Sequence, residues 1–237
     1  MIIAATGDVH SPHYYEDFLK ALDELPDNID LFLIAGDMID RGEVAEYEKI
    51  RNALFGKVNC PIIACFGNNE FEEREEEIKN ICKEIRFLND QAFVVDVKGM
   101  PVGIVGTRGS LEEPTKGQRA HIPNIEKIYA QRLQVVKLQL RKIIHAPFKI
   151  LLMHYAPTYK TLEGENPLFY GTLGWNAFEN VIIEMRPNLV IHGHSHKGKK
   201  FAWVDTVPVF NVSFPVNEKK IVIINTEELK PGLTKFV

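Results

Sequence analysis

Short, nearly unbroken apolar runs recur along the chain, and most of them stop at a glycine followed by a polar cluster. Residues 2–5 run into Gly7-Asp8-Val9-His10, residues 31–35 into Gly36-Asp37-Met38-Ile39-Asp40-Arg41-Gly42, and residues 61–66 into Gly67-Asn68-Asn69-Glu70. Apolar runs of this length bounded by turn residues predict strands buried on both faces. Between them the spacing changes to helical. Phe18, Leu19, Leu22 and Leu25 mark one helix after the break at Ser11-Pro12, and Val44, Tyr47, Ile50, Leu54 and Phe55 mark a second. A third, charged helix is expected over 71–85, its acidic run facing solvent. Three repeats of strand, polar turn and helix argue for a mostly parallel sheet that collects its chemistry outside the carboxyl ends of the strands.

The second half of the chain is less regular. Residues 93–97 and 102–105 read as a hairpin joined by Lys98-Gly99-Met100-Pro101, and 107–123 as an irregular loop. A long amphipathic helix follows over 124–145, with Ile128, Leu133, Val136, Leu140 and Ile143 as its apolar stripe. Residues 149–153 form another buried run that ends at His154-Tyr155-Ala156-Pro157. After an irregular stretch over 158–174, a helix over 175–185 leads to the run at 188–190 and then to Ile191-His192-Gly193-His194-Ser195-His196. Residues 201–204, 207–211 and 220–224 read as three strands of a second, more antiparallel sheet. No repeat, low-complexity tract or linker interrupts 1–237, so one domain is expected.

Composition narrows the function classes. With 45% hydrophobic and 25% charged residues in 237, the chain has the make-up of an ordinary globular protein, and a net charge of -4 leaves no basic footprint for nucleic acid. Cys60, Cys65 and Cys82 form no Cys-x-x-Cys pair and read as buried or inert thiols in a reducing interior. Without a basic leader or a membrane-length apolar run, the expected location is cytoplasmic with no membrane contact. Oligomeric state is not written in the sequence.

The chemistry lies at the strand ends. His194 and His196 stand two apart, as do Asp8 and His10, so each pair projects to one side of extended backbone. With Asp37, Asn68 and His154 the set comprises two carboxylates, one amide and four imidazoles. Mixed nitrogen and oxygen donors suit manganese, iron, zinc, nickel or cobalt better than an all-oxygen magnesium or calcium cage. The five blocks, in this order from Asp8 to His196, closely resemble the calcineurin-like metallophosphoesterase superfamily, in its compact prokaryotic form. The resemblance implies an α/β fold, a four-layer α/β/β/α sandwich of two mixed β-sheets flanked by helices. It also implies two divalent transition-metal ions, one held by Asp8, His10 and His196, the other by Asn68, His154 and His194, with Asp37 bridging. Four positive charges against the two of Asp8 and Asp37 leave such a centre cationic, which favours a bridging hydroxide and in-line attack on a phosphoryl group. The expected protein is therefore a metal-dependent phosphoesterase, a phosphodiesterase acting on small phosphate esters or nucleotides. The alternatives are a non-catalytic protein-binding scaffold on the same fold, disfavoured by the full ligand set, and a DNA nuclease, disfavoured by the charge.

One position departs from the family. Many members carry histidine after Gly-Asn in the third block, as the acid that protonates the leaving alkoxide. Here the residue is Asn69. An amide cannot supply the roughly 10²- to 10⁴-fold that a general acid contributes. Compact prokaryotic phosphodiesterases of the superfamily lack that histidine too, so the expectation is a bias towards good leaving groups. Without that histidine, Asp40 is left to pair with Arg41. His13, at the start of the first helix, is a candidate substitute acid with a helix-start surface histidine as the bland reading. Arg108 and His121 in the long loop are candidate contacts for substrate phosphate. His192 is expected to point away from the ligand side, and Tyr155, Tyr159, Phe169, Tyr170 and Trp175 to pack or to stack on substrate.

Overall fold

The computed structural model of the protein describes residues 1–229. Its strands are β1 (Ile2–Thr6), β2 (Leu31–Ala35), β3 (Ile62–Cys65), β4 (Ile85–Leu88), β5 (Gln91–Val97), β6 (Met100–Thr107), β7 (Phe148–Met153), β8 (Leu189–His192), β9 (Phe201–Val204), β10 (Val207–Asn211) and β11 (Val222–Asn225). The helices are α1 (Tyr15–Asp23), α2 (Val44–Leu54), α3 (Glu75–Ile81), α4 (Lys116–His121), α5 (Ile125–Lys142), α6 (Tyr170–Leu173) and α7 (Phe178–Met185). One sheet has the order β11-β1-β2-β3-β4 and the other β5-β6-β7-β8-β10-β9.

Within the first sheet β1 to β4 are parallel and β11 is antiparallel to β1; within the second, β6, β7, β8 and β10 are parallel while β5 and β9 close the edges antiparallel. Both sheets are thus mixed. Alternate side chains of one strand go to different layers, which is why the central runs carry no polar alternation. On β2, Phe32 and Ile34 pack outward with Phe18 and Leu22 of α1 and Tyr47 and Ile50 of α2. Its Leu31 and Leu33 pack inward, with Ile104, Ile150, Leu152 and Ile191 of the other sheet. The far face of the second sheet, through Val105, Leu151 and Val190, meets Val136 and Leu140 of α5 and Phe178 and Ile182 of α7. The result is the four-layer α/β/β/α sandwich.

Several elements differ from the sequence reading. The helix expected over 71–85 is a 3₁₀ turn at Glu72–Arg74, the short α3, and then the edge strand β4, whose Phe87 stacks on Phe66 at 4.7 Å between centroids. Its helical stripe ends at Cys82, after which Ile85 and Phe87 alternate with exposed Arg86. The last strand, β11, joins the first sheet beside β1 and not the second, because the chain crosses back after β10. The irregular loop at 107–123 contains α4, started by a reciprocal capping box between Thr115 and Gln118. The long helix is α5 and ends at Lys142, before His145. In the hairpin β6 begins at Met100, and Lys98 and Gly99 both have positive φ, 52° and 83°, as a two-residue turn with the native strand twist requires. Among the described residues no helix is long and apolar enough to cross a membrane. The three cysteines are free, and burial pushes the thiols of Cys60 and Cys82 up to about 11 and about 12.

Candidate metal centre

The carboxyl ends of β1, β2 and β3 face those of β7 and β8 across the junction of the two sheets, so the polar clusters of both halves meet in one cleft of about 370 Å³. His10, Asp37, Asn68, Asn69, Glu165, Leu173, His194, His196 and Lys197 line it. Close approach of the turns needs glycine. A Cβ on Gly67 would stand 2.2 Å from Asp37 Oδ1, and one on Gly193 2.6 Å from Asp8 Oδ2. The backbone is also bent at the functional residues themselves: Asp8, His10, Asp37 and His194 all have positive φ, between 47° and 67°. Non-glycine residues persist there only where surrounding contacts hold them, a feature that clusters at functional sites.

Two groups of donor atoms form, each with its members within 4.8 Å of one another: Asp8, His10 and His196; and Asp8, Asp37, His154 and His194. In the first, the Nε2 atoms of His10 and His196 lie 3.4 Å apart, at 3.8 Å and 3.3 Å from Asp8 Oδ1. In the second, His154 Nε2 lies 3.1 Å from Asn68 Oδ1 and 3.5 Å from Asp37 Oδ2. Asp37 Oδ2 is also 4.0 Å from His10 Nε2, so this one carboxylate oxygen stands within reach of both groups. Asp8, which the sequence reading put with one ion, belongs by distance to both.

Hydrogen bonds behind the rings decide which nitrogen faces inward. His154 Nδ1 donates to the Ala35 carbonyl at 2.9 Å, and His10 Nδ1 donates to Asp40 Oδ1 at 2.8 Å. Each ring therefore aims Nε2 at the cleft. An Nε2 lone pair on His154 then meets the Asn68 oxygen, two acceptors at 3.1 Å, with the Asp37 carboxylate beside them. Such a convergence of acceptors is what a shared cation resolves, and the donor set fits a divalent transition metal. His194 is held to about 3 by burial and by its neighbour His154, so its imidazole is neutral, the form that binds metal. Burial works to raise the carboxyl of Asp8, yet the hydrogen bond from His196 and the nearby imidazoles hold it well below the usual carboxylate range. His196 goes the other way: burial lowers it, but the Asp8 carboxylate raises it more.

The supporting residues were less visible in the sequence. Glu70 is fully buried and accepts from the backbone N–H of Asp37, Met38 and Gly67 at 2.7–2.8 Å, tying the second and third blocks together. Burial and the Asp37 charge push it up to about 8, against those three donors. Asn69 donates through its backbone and side-chain nitrogens to the two oxygens of Asp37, each at 2.7 Å. Asp40 orients His10; the expected partner Arg41 has an exposed side chain, and its backbone N–H donates to Asn69 Oδ1 at 3.4 Å. The signal for Asp40 was its place in the block, where the sequence pointed to Arg41 as its partner and the fold gives it His10.

Three candidates lie elsewhere. His13 is exposed and packs edge-on against Tyr14 at 4.2 Å, outside the cleft lining. Arg108 is largely buried among carboxylates, paired with Glu72 and Glu75 at 3.1 Å and donating to the Glu70 carbonyl at 2.8 Å; it braces the third block and lies outside the cleft lining. His121 is exposed on α4, its ring bonded to the Gly117 carbonyl at 2.8 Å. His192 is buried outside both donor groups, bonded to Gly193 O and Thr161 Oγ1, with burial pulling it down to about 4. Of the aromatics, Tyr155 is buried with its ring 4.8 Å from that of His194, Trp175 packs into the core, and Phe169 is exposed.

A sequence model of the calcineurin-like phosphoesterases matches residues 1–198. The chain belongs to the calcineurin-like phosphoesterase family. As a calcineurin-like phosphoesterase it is a phosphoric ester hydrolase, and its Asp and His clusters are ones that could hold the divalent metals typical of the family. A phosphopantetheinyl hydrolase from Mycobacterium tuberculosis is similar in structure, with a TM-score of 0.68 and 14% identity over 93% of this chain and 95% of that one. The Thermus thermophilus protein TT1561 is similar too, with a TM-score of 0.62 and 17% identity over 95% and 98%. At these identities the likeness is one of fold. No curated protein sequence matches the chain.

Proposed function

We propose that this phosphoesterase uses two divalent transition-metal ions to hydrolyse small phosphodiesters or nucleotides. Asp8, His10 and His196 would hold one ion, and Asn68, His154 and His194 the other, with Asp37 in contact with both. The observation that carries this reading is the convergence of acceptors at the inner end of the cleft, where His154 Nε2, turned inward by the Ala35 carbonyl, meets Asn68 Oδ1 at 3.1 Å and Asp37 Oδ2 at 3.5 Å. Ions bound there supply Lewis acidity towards a phosphoryl group and acidify water to a nucleophile near neutral pH.

The chain's own residues do the rest. The Ala35 carbonyl and Asp40 keep two imidazoles in the tautomer that presents Nε2. Asn69 holds both oxygens of Asp37, so its amide is committed to positioning and gives the leaving group no proton. Esters whose alcohols leave without protonation are therefore favoured. Leu173 gives the cleft an apolar wall, and Lys197 at its rim suits an anionic substrate better than a neutral one. Free thiols without a disulfide accord with a cytoplasmic enzyme.

The test is a panel of metal-free protein reconstituted with manganese, iron, nickel, cobalt or zinc and assayed on bis-p-nitrophenyl phosphate and p-nitrophenyl phosphate. Hydrolysis of the diester, faster than the monoester and dependent on metal, is the expected result. Turnover no higher than that of an Asp37→Ala control with every metal would reject the reading.

A further inference from the structure

Three of the four clustered imidazoles have an evident means of orientation. His10 and His154 are held by hydrogen bonds to their outer nitrogens, and His194 is wedged between the rings of His154 and Tyr155, at 4.8 Å from each. His196 has neither. Its side chain is 39% exposed, and its ring contacts are Asp8 and His10, the groups that share its candidate ion. Its placement must come through the backbone.

The residues on both sides of His196 are held by one carboxylate oxygen, Ser195 through its hydroxyl and Lys197 through its backbone. Glu165 Oε1 accepts from Ser195 Oγ at 3.1 Å and from the Lys197 backbone N–H at 2.8 Å. The segment that carries Glu165 lies close along the same turn. Lys199 N–H donates to the Thr161 carbonyl at 2.9 Å, and a Cβ on Gly164 would stand 2.2 Å from the Lys197 carbonyl oxygen, so nothing larger than glycine fits between the two strands of chain. From the opposite side Asn211 Nδ2 donates to the Ser195 carbonyl at 2.9 Å. We infer that Glu165 is a positioning residue, whose carboxylate fixes the Ser195–Lys197 turn and thereby the direction in which His196 presents its nitrogen to the ion it would share with Asp8 and His10, the outer of the two, the inner being that of Asn68, His154 and His194.

This inference rests on the two-metal reading for its consequence, but not for the contact itself. Groups that orient a metal ligand typically matter about 10- to 100-fold in metal affinity. Because one oxygen accepts both bonds, Glu165→Gln keeps an acceptor in place while removing the charge, whereas Glu165→Ala removes both. Two readouts separate the possibilities. Calorimetric titration of manganese into metal-free protein should show the outer ion bound about 10- to 100-fold more weakly in Glu165→Ala, with the inner ion unchanged and Glu165→Gln within a few-fold of wild type. Amide hydrogen exchange on the metal-free proteins should show Lys197 exchanging faster in Glu165→Ala and not in Glu165→Gln, with core amides of β8 unchanged in both. Equal exchange at Lys197 in all three proteins, or manganese binding by Glu165→Ala indistinguishable from wild type, would overturn the inference. Loss of affinity in Glu165→Gln equal to that in Glu165→Ala would overturn it as well, since charge and not the hydrogen bonds would then be responsible. A wild-type protein that takes up no metal would contradict the proposed function, and the exchange experiment would still decide whether Glu165 holds the turn.

Discussion

The two donor groups share Asp8 and yet are built differently. The inner one is enclosed: His154 and Asp8 have no exposed surface, Asp37 is held by Asn69 and by the turn that Glu70 organises, and the outer nitrogen of His154 is bonded to a strand carbonyl. The outer one opens on solvent. His10 and His196 are 13% and 39% exposed, and the group behind His10 is a 41% exposed Asp40, where the inner site uses main chain. Rigid sheet ends make the inner position; side chains and a turn make the outer one. An ion inside should accordingly bind more tightly and leave more slowly than its neighbour, as expected where orientation is fixed in advance.

Substitutions should separate the two groups. Asp37→Ala removes the carboxylate within reach of both groups and should lower turnover of bis-p-nitrophenyl phosphate by about three orders of magnitude or more, with both ions weakened in metal analysis. Glu70→Ala leaves three buried backbone N–H groups without an acceptor. About 3 kcal/mol of stability should go, read as a shift in the urea midpoint, because each buried donor costs about 1–3 kcal/mol when unsatisfied and water recovers part of it. The outer group answers to Asp40→Asn, which should weaken one ion about 10- to 100-fold while stability and the inner ion stay near wild type. Asn69→His should act least. It offers a proton to the leaving group but gives up an Asp37 brace, so hydrolysis of alkyl esters should rise about 10-fold relative to p-nitrophenyl esters. An equal change on both ester classes would show that protonation of the leaving group does not limit the rate.

The same division explains what could be read from the sequence. Buried parallel strands leave continuous apolar runs, and the polar residues that terminate them cannot be hidden, so Asp8, His10, Asp37, Asn68, His154, His194 and His196 were all legible as strand-end residues. The side of a sheet on which a late strand adds is a long-range decision, and nothing local told β11 to return beside β1. Edge strand β4 was hidden because it has only four residues and follows within a few residues of the end of α3, so its short alternation was absorbed into the helix. Supporting contacts were hardest. Glu165 lies 30 residues from Ser195, in a stretch with no periodicity, and only the fold brings its carboxylate to the histidine turn. The loop candidates Arg108 and His121 lie outside the cleft lining for the reverse reason: a basic residue in a long loop says nothing about which acids fold onto it, and Arg108 pairs with Glu72 and Glu75.

The most direct measurement is anomalous diffraction at the manganese edge from crystals grown from metal-free protein and soaked in graded manganese. Two peaks are expected. One should lie among Asp37, Asn68, His154 and His194 and fill at the lower concentration, and the other among Asp8, His10 and His196 and fill later. A single peak at saturation, or an outer position that fills before the inner one, would contradict that expectation.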